Sequence, residues 1–376
     1  MDIGSHLWNK EDGWVKEIGG LPAAQLVLVF GGRDVLEKNS LFDEISAAYP
    51  NSDVVGCSTA GEIYDVNVLD EHISLTAINF KNTRVRTESF DVVSMDQSRI
   101  VGEQLSSALF DNDLAHVLVF SAGLFVNGSE LVKGLIQNMP EGVTVTGGMS
   151  GDGARFEKTL VCCNGKVNSS QVVAVGLYGD DLEVSYASQG GWDAFGLERE
   201  ITRSEGNVLY ELDGRSALAL YKEYLGDYVN DLPGSALLFP LCIRNKKDEE
   251  PLVRTIMAID EEQQSMTFSG DIPEGCTGQL MKANFDRLVG GAMTAADVSR
   301  EGMPGKIELA ILISCVGRKL VLQQRIEEEV EAVRDSLGDD AVITGFYSYG
   351  EISPFNRLAE CQLHNQTMTI TTLSEK

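Results

Sequence analysis

Two short stretches of this chain set small residues, glycines and a carboxylate into one frame. Gly56-Cys57-Ser58-Thr59-Ala60-Gly61-Glu62-Ile63 follows an apolar run, and Gly345-Phe346-Tyr347-Ser348-Tyr349-Gly350-Glu351-Ile352 repeats its G-x-x-x-x-G-E-I pattern near the other end. Glycines in a turn after a strand bare backbone N–H groups and let a ligand approach the main chain. Glu62 and Glu351 could hold a cationic or hydroxyl group there, or bond backbone N–H groups to fix the turn. Neither loop completes a phosphate cradle, since G-x-x-x-x-G-K-[ST] and G-x-G-x-x-G are both missing. Cys57 and Ser58 fall at a strand-to-loop turn, a place for an exposed nucleophile, so a Cys57-dependent hydrolase or transferase is one reading. The spacing departs from a G-x-S-x-G elbow, and no motif ties any of the four histidines to Cys57. Phe346 stands where the first loop has Cys57. What the loops share is glycine and glutamate, which suits binding or a structural role better than catalysis. The expectation is a protein without enzyme activity.

Metal chemistry leaves less trace. The absence of H-E-x-x-H, C-x-x-C and C-x-x-C-H excludes structural zinc and covalent haem. Non-covalent haem needs only one axial side chain. His6 reads as part of an unanchored N-terminal tail, and His72 and His116 read as strand-end residues. His364 reads differently. A regular strand over 362–373 would place it on one face with Met368 and Ile370, as a core histidine or as the best axial-ligand candidate.

The elements that must position these residues recur. Leu26 to Phe30 is a continuous apolar run, followed by Gly31-Gly32, a helix carrying Leu41, Ile45 and Ala48, a strand at Asp53 to Val55, and the first loop. Val117 to Phe120 starts a second copy, with Leu131, Val132, Leu135 and Ile136 on its helix. A strand over 143–146 then leads to Gly147-Gly148-Met149-Ser150-Gly151-Asp152. Leu309 to Ile313 starts a third, whose helix sets Ile326, Val330, Val333 and Leu337 in one stripe before Gly338. Between the copies the pattern is β-rich: a hairpin over 72–90 around Asn82, and strands at 160–163 and 172–178 joined through Asn164-Gly165. Further on come a helix over 217–228 and strands at 237–243, 252–259 and 266–268, the first two joined by an exposed turn over 245–250. The spacing predicts an α/β fold with mixed α+β sheets, in two related modules with internal β-α-β pseudo-repeats and a boundary near Arg215.

Composition narrows the function classes. A chain of 376 residues suggests about two domains. Its formal charge of −27 excludes non-specific nucleic-acid or anionic-membrane binding, which needs basic patches. Seven cysteines, odd in number and irregular in spacing, read as free thiols in a reducing cytosol. Met1 to Gly20 has no apolar run of signal length, and no stretch approaches the roughly 20 apolar residues of a membrane span. The expected location is the cytoplasm, without membrane insertion.

The two glycine-glutamate loops, Gly147 to Asp152, Phe239-Pro240-Leu241 and His364-Asn365-Gln366-Thr367 together resemble the FIST family. The resemblance covers a FIST N-terminal module over residues 23–215 and a FIST C-terminal module over 216–370. It implies a non-enzymatic sensory protein of bacterial signal transduction that binds a small-molecule ligand such as an amino acid. Free-standing relatives of this size include haem-based nitric oxide sensors that control a partner histidine kinase. By that likeness haem is the expected cofactor, although the motif does not encode the iron ligand, for which the strand pattern offers His364, and a separate histidine kinase or other output protein is the expected partner. The motif positions carried over are Gly56, Cys57, Ser58, Gly61 and Glu62 in the first module, and Gly345, Ser348, Gly350, Glu351, His364 and Asn365 in the second. The other expectation is a sensor of an amino acid or similar polar metabolite. There Glu62 or Glu351 would hold its ammonium and loop N–H groups its carboxylate.

Overall fold

Apolar runs buried on both faces make the parallel strands on which everything else is laid. Leu26–Gly31 and Leu309–Cys315 are buried throughout, and Leu114–Ser121 at all positions but Ala115. The computed structural model describes residues 1–37, 39–232, 234–244, 251–356 and 359–376, so the turn expected over 245–250 lies outside the described residues. Each run pairs in parallel with a strand that follows a helix, namely Asp53–Ser58, Thr144–Met149 and Val342–Ser348. On its other side each pairs antiparallel with a third strand, Ile73–Asn79, Gln171–Tyr178 or Met368–Glu375. A strand that precedes each unit pairs on the far side of that third strand: Asp2–Asn9, Arg84–Asp91 and Leu182–Gln189. The chain is therefore a mixed α/β protein built from three equivalent mixed sheets.

The loops of interest send an arm from each unit into the next sheet. Glu62–Tyr64 leaves the first unit and pairs with Val342–Ser348 of the third. Gly350–Pro354 leaves the third and pairs with Thr144–Met149 of the second. Val161–Cys163 leaves the second and pairs with Asp53–Ser58 of the first. The exchange is cyclic. It covers three sheet edges that would otherwise present unpaired backbone groups. Phe30, Phe120 and Phe346, one from each unit and all fully buried, meet at the centre with ring centroids 4.8, 5.6 and 6.2 Å apart.

Gly56, Gly147 and Gly345 occupy the same register position in the three units, opposite Val29, Val119 and Leu312. A Cβ built on any of them would overlap the carbonyl oxygen of that partner. The repeated first glycine is therefore a steric requirement of strand packing.

Residues 193–282 form a satellite inserted in the third unit, between Leu182–Gln189 and the helix Phe285–Glu301. The satellite wraps antiparallel strands around the helix Ala217–Leu225 and has its own core, including Ile201, Leu218, Tyr221, Leu241 and Phe268. The boundary expected at Arg215 lies inside it, between strands that pair Leu212 with Arg215.

Several local expectations change. Ile73–Asn79 and Arg84–Asp91 do not form a hairpin but belong to different sheets, the first pairing with Leu26–Gly31 and Asp2–Asn9 and the second with Gln171–Tyr178. Asn164-Gly165 does form a turn, with φ of 47° and 80°, but it returns Val161–Cys163 onto Lys166–Asn168 rather than onto 172–178. The strand expected over 237–243 starts at Leu241, after a 3-10 turn over Gly234–Leu238. The strand expected over 362–373 is broken: Cys361–His364 and Met368–Glu375 lie in different sheets, with Gln366 at φ 63° between them. His6 is anchored, in a strand that pairs with Ile73–Asn79 over seven positions.

Alanine at Gly56, Gly147 or Gly345 is expected to cost roughly 3 kcal/mol or more, or to abolish folding. Gly290→Ala, in the helix Phe285–Glu301 with open space around it, is expected to stabilise by about 0.5–1 kcal/mol. Urea denaturation of the four variants checks both. Three alanine variants as stable as the parent would refute the steric account.

Candidate functional site

Both loop carboxylates are fully buried, and each spends its oxygens on its own unit. Thr59 Oγ1 donates to Glu62 Oε1, and the backbone N–H of His72 donates to Oε2 at 3.0 Å. Ser348 Oγ donates to Glu351 Oε1 at 2.6 Å, while Thr367 donates to Oε2 from its hydroxyl at 3.1 Å and its N–H at 3.3 Å. His72 and Thr367 each stand just before the third strand of their unit. The glutamates thus close the base of the exchanged arm, joining its outgoing and returning ends. Burial pushes both carboxyls up from 4.5 to about 8, against the pull of these donors. Of the two roles open to each glutamate, the backbone role is the one the geometry displays.

The other loop residues are equally committed. Ser58 Oγ donates to the Gly151 carbonyl at 2.6 Å and accepts from the Leu160 N–H at 2.7 Å. Gly61, at φ 148°, faces the Lys319 ammonium, which donates to the Ala60 carbonyl at 2.9 Å and pairs with Asp70. Gly350 packs on Met149 and Leu363. Cys57 is wholly buried within a strand rather than poised on a turn, and desolvation holds its thiol well above the usual range. A thiol so placed is a structural apolar group, which removes the Cys57 nucleophile. In the second loop Asp152 serves as a hub, accepting from Tyr349 Oη, Arg33 Nη1 at 3.0 Å and the N–H groups of Phe156, Glu157 and Lys158.

Haem fits poorly at His364. Its Nε2 donates to the Ser353 carbonyl at 2.8 Å, its ring lies 6.0 Å from that of Phe355, and the residue is 3% exposed. Desolvation lowers its pKa to about 4. An iron would reach this imidazole only by displacing that packing. His116 is also enclosed, between the hydroxyls of Thr144 at 2.6 Å and Thr146 at 3.0 Å. Among the described residues no cluster of three His, Cys, Asp or Glu side chains could hold a metal ion.

The motif His364-Asn365-Gln366-Thr367 lies at the seam between the three-unit core and the satellite. Asn365 accepts from Ser269 Oγ at 2.7 Å, and Gln366 Nε2 donates to Thr255 Oγ1 at 3.0 Å. The Gln366 carbonyl accepts from Trp192 Nε1 at 2.8 Å. From the satellite side Arg254, 4% exposed, donates from Nη1 to the Leu363 carbonyl at 2.8 Å. Desolvation lowers the pKa of Arg254 to about 10, against the pull of the nearby Asp271 and Glu351 charges. Gln366 Oε1 is buried with no hydrogen-bond partner among the described residues. Among the described residues, a buried cation without a matched anion and a buried acceptor without a donor thus both lie along this seam. Gln366 is held there at φ 63°, a conformation that surrounding structure must enforce. Asn365 and His364 are expected from the sequence as site residues; Gln366 enters there only within the motif, and Arg254 is not singled out. Neither belongs to a glycine loop, and only the fold brings them together.

Two family models match consecutive parts of the chain and meet inside the satellite. The family model described as the FIST N domain matches residues 25–215, and the one described as the FIST C domain matches 217–354. An uncharacterized protein of Methanocaldococcus jannaschii is 22% identical over 355 residues, covering 84% of this chain and 68% of the relative.

The raised carboxyl pKa values set a pH dependence. Below pH 4.5 the two glutamates are protonated in both folded and unfolded chains. Between 4.5 and about 8 the unfolded chain has released protons that the folded chain still holds, so stability falls as pH rises. Glu62→Gln with Glu351→Gln mimics the neutral acids and is expected to flatten this fall by about 1 kcal/mol or more per site. Urea midpoints at pH 5 and pH 8 for parent and double variant test it. A parent that gains on the variant as pH rises would mean that the carboxylates are ionised.

Proposed function

Because this chain belongs to the FIST family, whose domains are sensory modules of signalling proteins, we propose that it senses a small polar metabolite at the seam between core and satellite. The carrying observation is that Arg254 and Gln366 Oε1, which has no partner among the described residues, are both buried along this seam. A ligand with a carboxylate and a hydrogen-bond donor, such as an amino acid, would neutralise the first and satisfy the second. Bound there, it would join satellite to core more tightly and shift the population toward one relative placement. A separate output protein, a histidine kinase on the family likeness, would read that placement. The glycine-glutamate loops then supply the rigid frame, and the Glu62 and Glu351 carboxylates do not contact the ligand. No step in this scheme needs catalysis.

Thermal denaturation with a panel of amino acids and small carboxylates tests the reading. A ligand at about 100 times its Kd adds roughly 2.7 kcal/mol, hence a rise in Tm of several degrees. Arg254→Met and Gln366→Leu are expected to remain folded and to lose that rise. A shift that survives both variants would remove the seam as the site. Haemin is the control arm. A Soret band on addition of haemin, abolished by His364→Ala, would establish the haem and nitric oxide reading in place of the metabolite.

A further inference from the structure

A groove of about 670 Å³ lies where the second unit meets the arm of the third, within the size range of small-molecule sites, roughly 300–1,000 Å³. It is lined by the end of the helix Gly128–Gln137, the segment 139–145, Tyr186, and the arm laid on Thr144–Met149. Ile136, Met139, Val143, Val145 and Pro354 make its apolar surface. Lys133 and Gln137 stand one turn apart on the helix, and Arg99 Nη2 donates to Gln137 Oε1 at 3.0 Å, so two cations share one side of the groove. Among the described residues that line it, Glu360 is the one acid against these two cations, in a chain of net charge −27.

The cations are not fully spent. Arg99 holds Glu103 through Nε at 3.5 Å and Gln137 through Nη2, which leaves Nη1 without a bond to another described residue. Lys133 is half-exposed. It pairs with Glu130 of its own helix at 2.5 Å and reaches over to Asp271 of the satellite at 3.4 Å. Asp271 is the more distant of its two carboxylates, hence the one that a competing anion displaces first.

We propose that this groove binds a small aromatic monocarboxylate, and that its carboxylate draws Lys133 away from Asp271. The ring lies against Met139, Pro354 and Tyr186, whose thioether, pyrrolidine and phenol suit a flat apolar face. The carboxylate accepts from Lys133 Nζ and Arg99 Nη1. Occupation removes one tie between core and satellite, at a place separate from the Arg254 and Gln366 junction, so the groove stands or falls independently of that site.

The test is calorimetric titration of the full chain with three probes of one shape and different charge: indole-3-acetate, indole-3-acetamide and tryptamine. Indole-3-acetate is expected to bind tightest. Lys133→Met is expected to weaken it roughly fivefold, the scale of a half-exposed ion pair, and to leave indole-3-acetamide unchanged. Asp271→Asn, which frees Lys133, is expected to tighten indole-3-acetate about two- to threefold. Val143→Trp, which fills the groove, is expected to abolish binding, with its Tm checking that the fold is kept. No heat from indole-3-acetate, equal or tighter binding of the amide or the amine, or weaker binding in Asp271→Asn would each overturn the proposal. So would affinity that is lost in Arg254→Met but kept in Val143→Trp, since that result places the probe at the seam.

Discussion

The Arg318–Glu329 pair is the contact through which the third unit, the motif loop and the satellite are held together. Both side chains are fully buried, with Arg318 Nη2 2.7 Å from Glu329 Oε2. Burying two charges is costly unless every remaining donor and acceptor is met. Here they are met by the parts that need positioning. Arg318 also donates to the carbonyls of Gly190 and Leu288, and at 3.5 Å to that of Gln366. Glu329 Oε1 accepts from the Tyr347 hydroxyl at 2.7 Å and from Ser314 at 3.1 Å. Gly190 and Leu288 flank the two crossings between core and satellite, and Tyr347 belongs to the glycine-glutamate loop. One guanidinium therefore sets both necks of the inserted body and the turn that faces it.

That constraint explains why the repeated motif looked like a site. A glycine beneath the neighbouring carbonyl, a hydroxyl three residues before a glutamate, and a glutamate bonded to the start of the third strand describe an arm being closed. The first and third units use this device fully. In the second, Asp152 turns instead to the 156–158 segment, and the longer loop replaces the glutamate clamp. Chemical residue types at regular spacing thus arose from a packing requirement repeated by pseudo-symmetry. Catalytic and structural glycine turns share a sequence grammar, and burial is what separates them.

Elements whose signal is local were legible in the sequence. The buried runs at Leu26, Val117 and Leu309, the helix stripe of Ile326, Val330, Val333 and Leu337, and the stop at Gly338 all follow from periodicity and capping. The arms were not legible. Residues 62–64, 161–163 and 350–354 are three to five residues long, and their partners lie a unit away, so no neighbouring pattern announces the pairing. The same long-range pairing separates the strands at 73–79 and 84–91, which a rule of adjacent hairpins joins. Asn365 was legible as a motif position. Arg254, some hundred residues earlier in a β-rich stretch, carries nothing local that marks it as buried.

The seam combines two kinds of contact that respond differently to a ligand. Near the necks, Trp192, Leu288, Val321 and Leu322 form an apolar cluster with Leu238 and Met281 of the satellite. Such contacts are non-directional and tolerate small rotations. Farther along the seam lie the directional bonds of Arg254, Thr255 and Ser269 to the 363–366 segment. A rotation of the satellite would lengthen or break these bonds, and Gln366 Oε1, without a partner among the described residues, leaves the junction less favourable than a fully matched one. A pivot that tolerates rotation, beside polar contacts that do not, has the form of a two-state element. On the proposed reading the ligand need only complete the unmatched pair for the balance to move, with no change in the three-unit frame.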